Sequence, residues 1–258
     1  MTWWMLVVLN AVPFPPGLAC LQRHYPVTAV TLPNGGFAAR TADGVVMPWN
    51  GTAPGATLEE VLNAPGLSDL YVPTYQTGPI MPVETVDHDP GRVRVEALLD
   101  AAYGARVTPK DLVAVVLGGH RYQVHAKVAP ALRRVAQRVD VLVAQDPSLR
   151  VFLEGPGGGF NPRVIAGTTR RSAHSWGVAV DLSTAQSHYW RWLVNGGQRR
   201  WTNRFPQVLV DAFESQGFIW GGRWYHFDTM HFEYRPELLD PACQAPVQLL
   251  QVRKDGGG

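Results

Sequence analysis

Residues 172–181 read SAHSWGVAVD, and this stretch decides how the carboxyl-terminal half of the chain is expected to fold. His174 and Asp181 are seven residues apart, so on one straight strand their side chains would point to opposite faces. They can converge only if the chain bends between them, and Gly177 permits such a bend. The pattern predicts a turn that carries His174, followed by a short strand over residues 178–182 that carries Asp181.

A second stretch, residues 228–233, reads DTMHFE. Residues 230–234 alternate between apolar and polar side chains, which predicts a strand with His231 and Glu233 on one face. Two histidines and one carboxylate can occupy three corners of a tetrahedral zinc site, and a fourth corner left for water is typical of a catalytic zinc. The sequence therefore predicts one zinc ion per chain, with three protein ligands: His174, Asp181 and His231.

A further carboxylate, Asp228, lies three residues before His231 and could accept a proton from a zinc-bound water. Glu233 is the alternative base, or it could orient His231 by a hydrogen bond, as carboxylates often do beside metal-bound histidines. A lone histidine is more often a core or surface residue than a ligand, but four matched positions in two separate motifs favour a site. Metal, water and base together indicate metal-assisted hydrolysis.

The patterns Ser-x-His-x-x-Gly-x-Ala-x-Asp, Trp-Gly-Gly-x-Trp and Asp-x-x-His-Phe-Glu resemble those of the M15 zinc peptidases over roughly residues 150–238. These are the D-alanyl-D-alanine carboxypeptidases and L-alanyl-D-glutamate peptidases that cut peptidoglycan stem peptides. The resemblance implies a peptidoglycan peptide as the substrate and Asp228 as the catalytic base. The matching positions are Ser172, His174, Gly177, Ala179, Asp181, Trp220, Gly221, Gly222, Trp224, Asp228, His231, Phe232 and Glu233.

The resemblance also implies an arginine, a short way before the first zinc ligand, that binds substrate or stabilises the oxyanion. Arg163 is the best match. Arg170 and Arg171 lie closer to His174 along the chain and remain alternatives. We therefore predict Asp228 and Arg163 as the catalytic residues.

Five more residues are candidates for orienting the ligands or contacting the substrate: His226, Glu233, Ser172, Trp176 and Trp224. The hydroxyl of Ser172 is expected to brace the turn that carries His174. His226 is five residues from His231 and could return a proton to the leaving amine. Amphipathic aromatic side chains often line ligand grooves, although any one of these tryptophans could equally fill the core.

The composition fits an enzyme with a full hydrophobic core. The chain has 258 residues, and 46% of them are apolar. A net charge of only +2 argues against nucleic acid as a partner, because such binders usually carry a basic stripe. The alternative class is a non-catalytic zinc module that binds cell-wall peptide or a protein partner, and it would not need a base such as Asp228.

Helical patterns before a cluster of short strands predict an α+β fold, with helices packed on a small, mostly antiparallel sheet. We expect a helix over residues 124–144 and a strand over residues 151–154, and residues 112–117 suit either a strand or a helix. The predicted parts are a signal peptide at 1–19, an amino-terminal extension with helices packed on the core at 20–148, a zinc peptidase core at 149–240, and a tail at 241–258.

The amino terminus predicts secretion or a periplasmic location. An apolar run over residues 3–12 precedes small residues at Gly17 and Ala19, which suits cleavage after Ala19. The run is too short to span a bilayer as a helix, so no stable membrane span is expected. Alternatively, the apolar run is a buried strand, the start codon is misplaced, or Cys20 is lipidated. Cys20 and Cys243 could pair in an oxidising compartment.

Overall fold

The strands and helices form an α+β fold, as predicted, although the strands build three small antiparallel sheets rather than one. The computed structural model describes residues 13–193 and 200–243. The α-helices are α1 Pro16–His24, α2 Leu58–Asn63, α3 Glu96–Tyr103, α4 Ala129–Gln145 and α5 Gln207–Glu214. The strands are β1 Val27–Thr31, β2 Phe37–Thr41, β3 Val46–Pro48, β4 Leu112–Leu117, β5 His120–His125, β6 Pro156–Gly158, β7 Ala179–Ser183, β8 Phe218–Trp220 and β9 His231–Tyr234.

The sheet that carries the predicted ligands has the strand order β6-β7-β9-β8, and each neighbouring pair is antiparallel. In this register Asp181 on β7 lies directly opposite His231 on β9. Opposite residues of an antiparallel pair project their side chains on the same face, with Cβ atoms about 5 Å apart. Strand pairing alone therefore brings together two donors that are fifty residues apart in the chain.

The opposite face of this sheet packs on the hydrophobic core. Val180 and Phe232 are completely buried there, one residue away from the donors on each strand. The ring of Phe213 from α5 stacks on Phe232 with centroids 4.0 Å apart. The two-residue alternation of strand side chains thus separates a donor face from a core face.

Two local predictions were wrong for identifiable reasons. Residues 151–154 do not form a strand, because a 3-10 helix occupies Pro147–Phe152. The carboxylate of Asp146 caps that helix by accepting from the backbone N–H of Ser148 at 3.0 Å. The helix expected over 124–144 begins only at α4, since the preceding residues form β5 and pair with β4 in a hairpin. The turn of this hairpin uses Gly118 and Gly119, both at positive φ.

One hydrophobic core includes residues from both sides of the boundary predicted at residue 148. It reaches from Leu18 and Leu21 on α1, through Leu132 on α4, to Phe232 on β9. The predicted cleavage after Ala19 falls inside α1, and Leu18 just before it is fully buried. Cleavage there stays a prediction, while residues 1–12 and 244–258 lie outside the described residues.

Cys20 on α1 is paired with Cys243, and their Cα atoms are 5.1 Å apart. This pair joins the first helix to the last described residue. Among the helices in the described ranges, none combines the length and the apolar character needed to cross a bilayer.

Candidate metal centre

The structure brings His174, Asp181 and His231 together into one cluster. Nε2 of His174 lies 3.2 Å from Oδ2 of Asp181 and 3.3 Å from Nδ1 of His231. Nδ1 of His231 lies 3.0 Å from Oδ1 of Asp181. Both histidines are buried, and Asp181 keeps 15% of its side chain exposed. Three donor atoms therefore face one point at the bottom of a cleft.

These spacings match a tetrahedral zinc ion. With zinc bonds of 2.0–2.1 Å to nitrogen and oxygen, two donors on a tetrahedron stand about 3.3 Å apart. The three observed distances of 3.0, 3.2 and 3.3 Å are close to this value. The donor set therefore fits zinc, with room for water as the fourth ligand.

The second nitrogen of each histidine is hydrogen bonded in the way that metal ligands require. Nδ1 of His174 donates to the carbonyl of Gly159 at 2.7 Å, which leaves Nε2 free to face the cluster. Nε2 of His231 lies 3.3 Å from Oε2 of Glu233, which leaves Nδ1 free. A carbonyl or carboxylate behind the ring fixes both tautomer and orientation.

The turn that carries His174 is a single 3-10 turn over Ala173–Trp176. It ends at Gly177, whose φ of +66° supplies the bend that the sequence predicted. A Cβ at Gly177 would also lie only 2.7 Å from the backbone nitrogen of His125. Both the dihedral angle and the close approach of β5 therefore favour glycine at this position.

A hydroxyl braces this turn, but it belongs to Ser175. Its Oγ accepts from the N–H of Arg163 at 2.9 Å and donates to the carbonyl of Arg163 at 2.8 Å. Ser172, which was expected to supply the bracing hydroxyl, lines the cleft, and its backbone N–H donates to the same carbonyl at 3.0 Å. A second serine, three residues after Ser172 in the same turn, was the sequence feature from which this brace could have been predicted.

The charges of the cluster are strongly coupled. Burial opposes ionisation of Asp181, but the neighbouring His174 and His231 outweigh it and lower the pKa of the carboxyl. Burial likewise opposes the charge on His231, yet its hydrogen bonds to Asp181 and Glu233 raise its pKa to about 9. At neutral pH the metal-free cluster therefore holds a proton on His231, and a metal ion would displace that proton.

Asp228 lies in the same cleft, and its Oδ1 is buried without a hydrogen-bond partner among the described residues. Burial, followed by the negative charge of Asp181, raises the pKa of Asp228 to about 6. The backbone holds the residue in place, because its N–H donates to Gly221 at 3.0 Å and its carbonyl accepts from His231 at 3.2 Å. An unpaired carboxylate with a pKa near neutrality suits a general base.

Glu233, the alternative base, has a different environment. Its side chain is completely buried, and Arg94 donates hydrogen bonds to both of its oxygens, at 2.9 Å to Oε1 and 2.5 Å to Oε2. Arg235 approaches the same carboxylate at 3.4 Å. Burial would raise the pKa of Glu233, but Arg94, His231 and Arg235 reverse this and lower it well below its usual range. The environment of Glu233 suits orientation of His231 rather than proton transfer.

The cleft above the cluster has a volume of about 280 Å³. Its lining includes four aromatic or apolar side chains, Tyr189, Trp192, Trp224 and Met230. Three arginines, Arg92, Arg94 and Arg163, also line it. A neighbouring cavity of about 350 Å³ shares Arg92 and Arg94 with the cleft.

Arg163 reaches the cleft, and its two rivals are paired elsewhere. Arg170 binds Glu59 at 2.8 Å, and Arg171 binds Asp100 at 2.5 Å while its guanidinium stacks 3.9 Å above the ring of Trp176. Both rivals line the neighbouring cavity.

Sequence reasoning missed Arg92 and Arg94 as cleft residues. They lie about eighty residues before His174, on an extended segment without regular secondary structure. The intervening Val93 is buried with 3% of its surface exposed. The Arg-Val-Arg alternation was a signal that both arginines share one face, although it could not indicate which site they reach.

The remaining candidates occupy three different environments. Trp224 lines the cleft, tilted against His231 with centroids 5.6 Å apart. Trp176 is completely buried, and its Nε1 donates to Asp100 at 2.8 Å, so it packs behind the ligand turn. His226 is not among the residues that line the cleft.

A buried carboxylate holds His226 in place. Nδ1 of the ring bonds Oδ2 of Asp89 at 2.6 Å, and its backbone N–H donates to Oδ1 of the same residue at 2.8 Å. Asp89 also pairs with Arg92 at 2.7 Å. This carboxylate therefore links His226 to Arg92, one of the arginines that line the cleft.

Comparison with known proteins supports the family resemblance over part of the chain. Residues 166–234 match the model of an M15 peptidase family that is described as D-alanyl-D-alanine carboxypeptidase. The matched segment contains all three donors and Asp228, whereas Arg163 lies just before it. Neither the comparison with curated proteins nor the comparison with solved structures gave a significant match.

Proposed function

We propose that this chain, which carries an M15 peptidase segment, is a zinc-dependent peptidase that hydrolyses peptidoglycan stem peptides. The observation that carries the proposal is the convergence of three donors at zinc-like spacing beside an unpaired, buried carboxylate of raised pKa. One zinc ion per chain would be held by His174, Asp181 and His231. When bound, zinc lowers the pKa of a coordinated water to about 7 and polarises a carbonyl.

Each residue around the cluster has a separate part in this proposal. Asp228 accepts the proton of the attacking water at Oδ1 and afterwards passes it to the leaving amine. Glu233 holds His231 in the tautomer that leaves Nδ1 free, and Arg94 keeps Glu233 charged. Arg163 stabilises the oxyanion, because a guanidinium can donate two parallel hydrogen bonds to a carboxylate or an oxyanion.

The residues that line the cleft support a peptide that carries a carboxylate. Of the three arginines in its lining, Arg92 and Arg94 are paired with Asp89 and Glu233, so it is the guanidinium of Arg163 that suits a free terminal or side-chain carboxylate. The family description names a carboxypeptidase for D-alanyl-D-alanine. The last residue of such a substrate, which hydrolysis releases, carries a free carboxylate. We therefore place D-Ala-D-Ala first among the bonds cut, with L-Ala-D-Glu as the other candidate, and we propose that the protein acts in the periplasm or after secretion.

Digestion of purified muropeptides tests the proposal. We expect the protein to release D-alanine from pentapeptide stems, to lose this activity in the presence of a chelator, and to regain it when zinc is restored. Mass spectrometry of the products identifies the bond. Release of fragments that begin with D-glutamate would instead assign the endopeptidase reaction.

A matched variant separates hydrolysis from binding alone. His174→Ala removes one donor and should abolish both stoichiometric zinc and product formation. His120→Ala, at a half-buried histidine that is paired with Glu154 and does not line the cleft, should change neither. If zinc-loaded protein binds the muropeptides but leaves every bond intact, the chain is a non-catalytic binding module and the proposed reaction is wrong.

A further inference from the structure

Four potential metal ligands from opposite ends of the described chain lie together in a second cluster, which shares no residue with the cluster of His174, Asp181 and His231. They are Cys20, His24, Asp240 and Cys243. Their donor atoms all lie within 4.8 Å of one another. The two sulfurs are buried, while His24 and Asp240 keep 19% and 24% of their side chains exposed.

The spacing of these residues produces two chelating pairs. Cys20 and His24 are four residues apart on α1, so they project from the same helix face. Asp240 and Cys243 are separated by two residues and lie in one turn. In this turn the N–H of Cys243 donates to the carbonyl of Asp240 at 2.9 Å. Structural zinc sites commonly combine ligand pairs with two to five intervening residues.

The carboxylate of Asp240 is oriented for this purpose. Its Oδ1 accepts from the N–H of Ala242 at 2.9 Å, which directs Oδ2 toward the cluster. Oδ2 lies 3.0 Å from Nε2 of His24 and 3.5 Å from Sγ of Cys20. These distances are close to the edges of about 3.3 to 3.8 Å that zinc bonds of 2.0 to 2.3 Å produce in a tetrahedron.

A disulfide between Cys20 and Cys243 does not account for the other two donors, because it requires neither an imidazole nor a carboxylate beside it. The cluster also attracts a cation already. Nη2 of Arg23 lies 3.0 Å from Sγ of Cys20 and 3.0 Å from Oδ2 of Asp240. The Arg23 side chain is 53% exposed, so it can move into solvent when a metal ion binds.

We propose that Cys20, His24, Asp240 and Cys243 form a second, structural zinc site when the two cysteines are reduced. Two thiolates, one imidazole and one carboxylate are a closed tetrahedral set that selects zinc among the common divalent metals. The site would fasten α1 to the turn at residues 240–243 without a disulfide. The proposal is independent of the proposed peptidase function, since it shares no residue with the cleft.

The exchange between the two states balances in electrons and protons. A dithiol or phosphine reductant supplies two electrons and breaks the bond between the sulfurs of Cys20 and Cys243, and two protons are taken up to give two thiols. Zinc then binds both sulfurs as thiolates and releases those two protons. Reoxidation expels the metal, because a disulfide sulfur no longer offers the negative charge that zinc requires.

Cobalt titration of the full-length protein tests this site. Cobalt in place of zinc shows thiolate-to-metal charge-transfer absorption in the near ultraviolet only where sulfur is a ligand. We expect that absorption, from one cobalt ion per chain with sulfur ligands, in protein reduced with a phosphine, and no such absorption in oxidised protein. The double variant His174→Ala, His231→Ala should keep the absorption, so failure at the cleft is distinguished from failure here.

Two variants that retain both cysteines identify the other ligands. His24→Gln and Asp240→Asn should each weaken cobalt binding to the reduced protein by at least tenfold, whereas His120→Gln should leave it unchanged. Reduced wild-type protein without charge-transfer absorption would overturn the proposal. Unchanged cobalt affinity in both ligand variants would equally overturn it, because the sulfurs would then bind metal without His24 and Asp240.

Discussion

At the scale of single residues, two carboxylates near His231 have opposite environments. Asp228 faces the cleft with an unpaired oxygen, and Glu233 is buried between arginines. Burial acts on both carboxylates, but only Glu233 has direct positive partners that reverse its effect on the pKa. The difference gives each residue a distinct expected phenotype.

We predict that Asp228→Asn retains about one zinc at the cleft but lowers turnover by roughly 10² to 10⁴, the contribution of a positioned general base. Glu233→Gln should instead weaken zinc affinity by roughly 10- to 100-fold, because it disturbs the hydrogen bond that orients His231. Zinc content and turnover measured on both variants check this assignment. An active Asp228→Asn beside an inactive, zinc-loaded Glu233→Gln would make Glu233 the base.

The raised pKa of Asp228 also predicts an effect on stability in zinc-free protein. Its folded-state pKa of about 6 lies above the ordinary value of about 3.9. The carboxyl therefore favours folding when protonated below pH 4, and this contribution is lost as the pH rises through 6. In chelator at pH 8, Asp228→Asn should be more stable than the wild type by up to about 3 kcal/mol.

Urea unfolding at pH 8 and at pH 4 measures this difference. The advantage of Asp228→Asn should shrink toward zero at pH 4, where the wild-type carboxyl is protonated in both the folded and the unfolded state. Equal stability of the two proteins at both pH values would mean that burial does not disfavour the charge of Asp228.

At the scale of elements, an isolated bridge between Val164 and Arg171 closes the loop that precedes the ligand turn. This loop places Arg163 at the cleft, while Arg170 on its other side binds Glu59 on α2. The two arginines are close in sequence but face different partners. The loop conformation, rather than the distance along the chain, selects the arginine that lines the cleft.

We predict that Arg163→Lys lowers kcat/KM by about tenfold or more with zinc and fold retained, because lysine cannot donate two parallel hydrogen bonds. Arg170→Lys should have less than a threefold effect, since its ion pair with the exposed Glu59 lies outside the cleft and lysine can keep it. Steady-state kinetics on zinc-loaded variants check both. A larger loss in Arg170→Lys would move the substrate-binding role to Arg170 and to the neighbouring cavity.

At the scale of the whole molecule, the pair formed by Cys20 and Cys243 connects segments that are 223 residues apart. A cross-link over such a long loop restricts the unfolded chain, and removing a native disulfide typically costs 2–5 kcal/mol. We predict that Cys243→Ser lowers the free energy of unfolding of the oxidised protein by about that amount. The kcat of folded protein should stay within twofold, because the pair shares no residue with the cleft.

Chemical unfolding and peptidase kinetics on the same preparation test this separation. Cys243→Ser that unfolds at the wild-type denaturant concentration would show that other contacts, such as those of Arg23 and His24 with Asp240, are enough to hold the two ends together. Loss of kcat in protein that is still folded would couple the chain ends to the active cleft.

The sequence by itself determined the features that depend on local geometry. The bend at Gly177, the strand that carries Asp181 and the donor types of the three proposed ligands all follow from neighbouring residues and their periodicity. The fold class could also be predicted, because the helical and strand patterns are local. The strand predicted at 151–154 was wrong because the capping residue Asp146, just outside that window, favours a 3-10 helix.

Only the tertiary structure decided which distant side chains meet. It brought Arg94 to Glu233 across 139 residues, separated the environments of Asp228 and Glu233, and gathered His24 and Asp240 around the cysteine pair. Such contacts depend on strand register and on the packing of elements that no short window contains. The sequence therefore predicted the candidate metal ligands. Only the three-dimensional structure showed that Arg94 holds Glu233 and that Arg92 and Arg94 line the cleft.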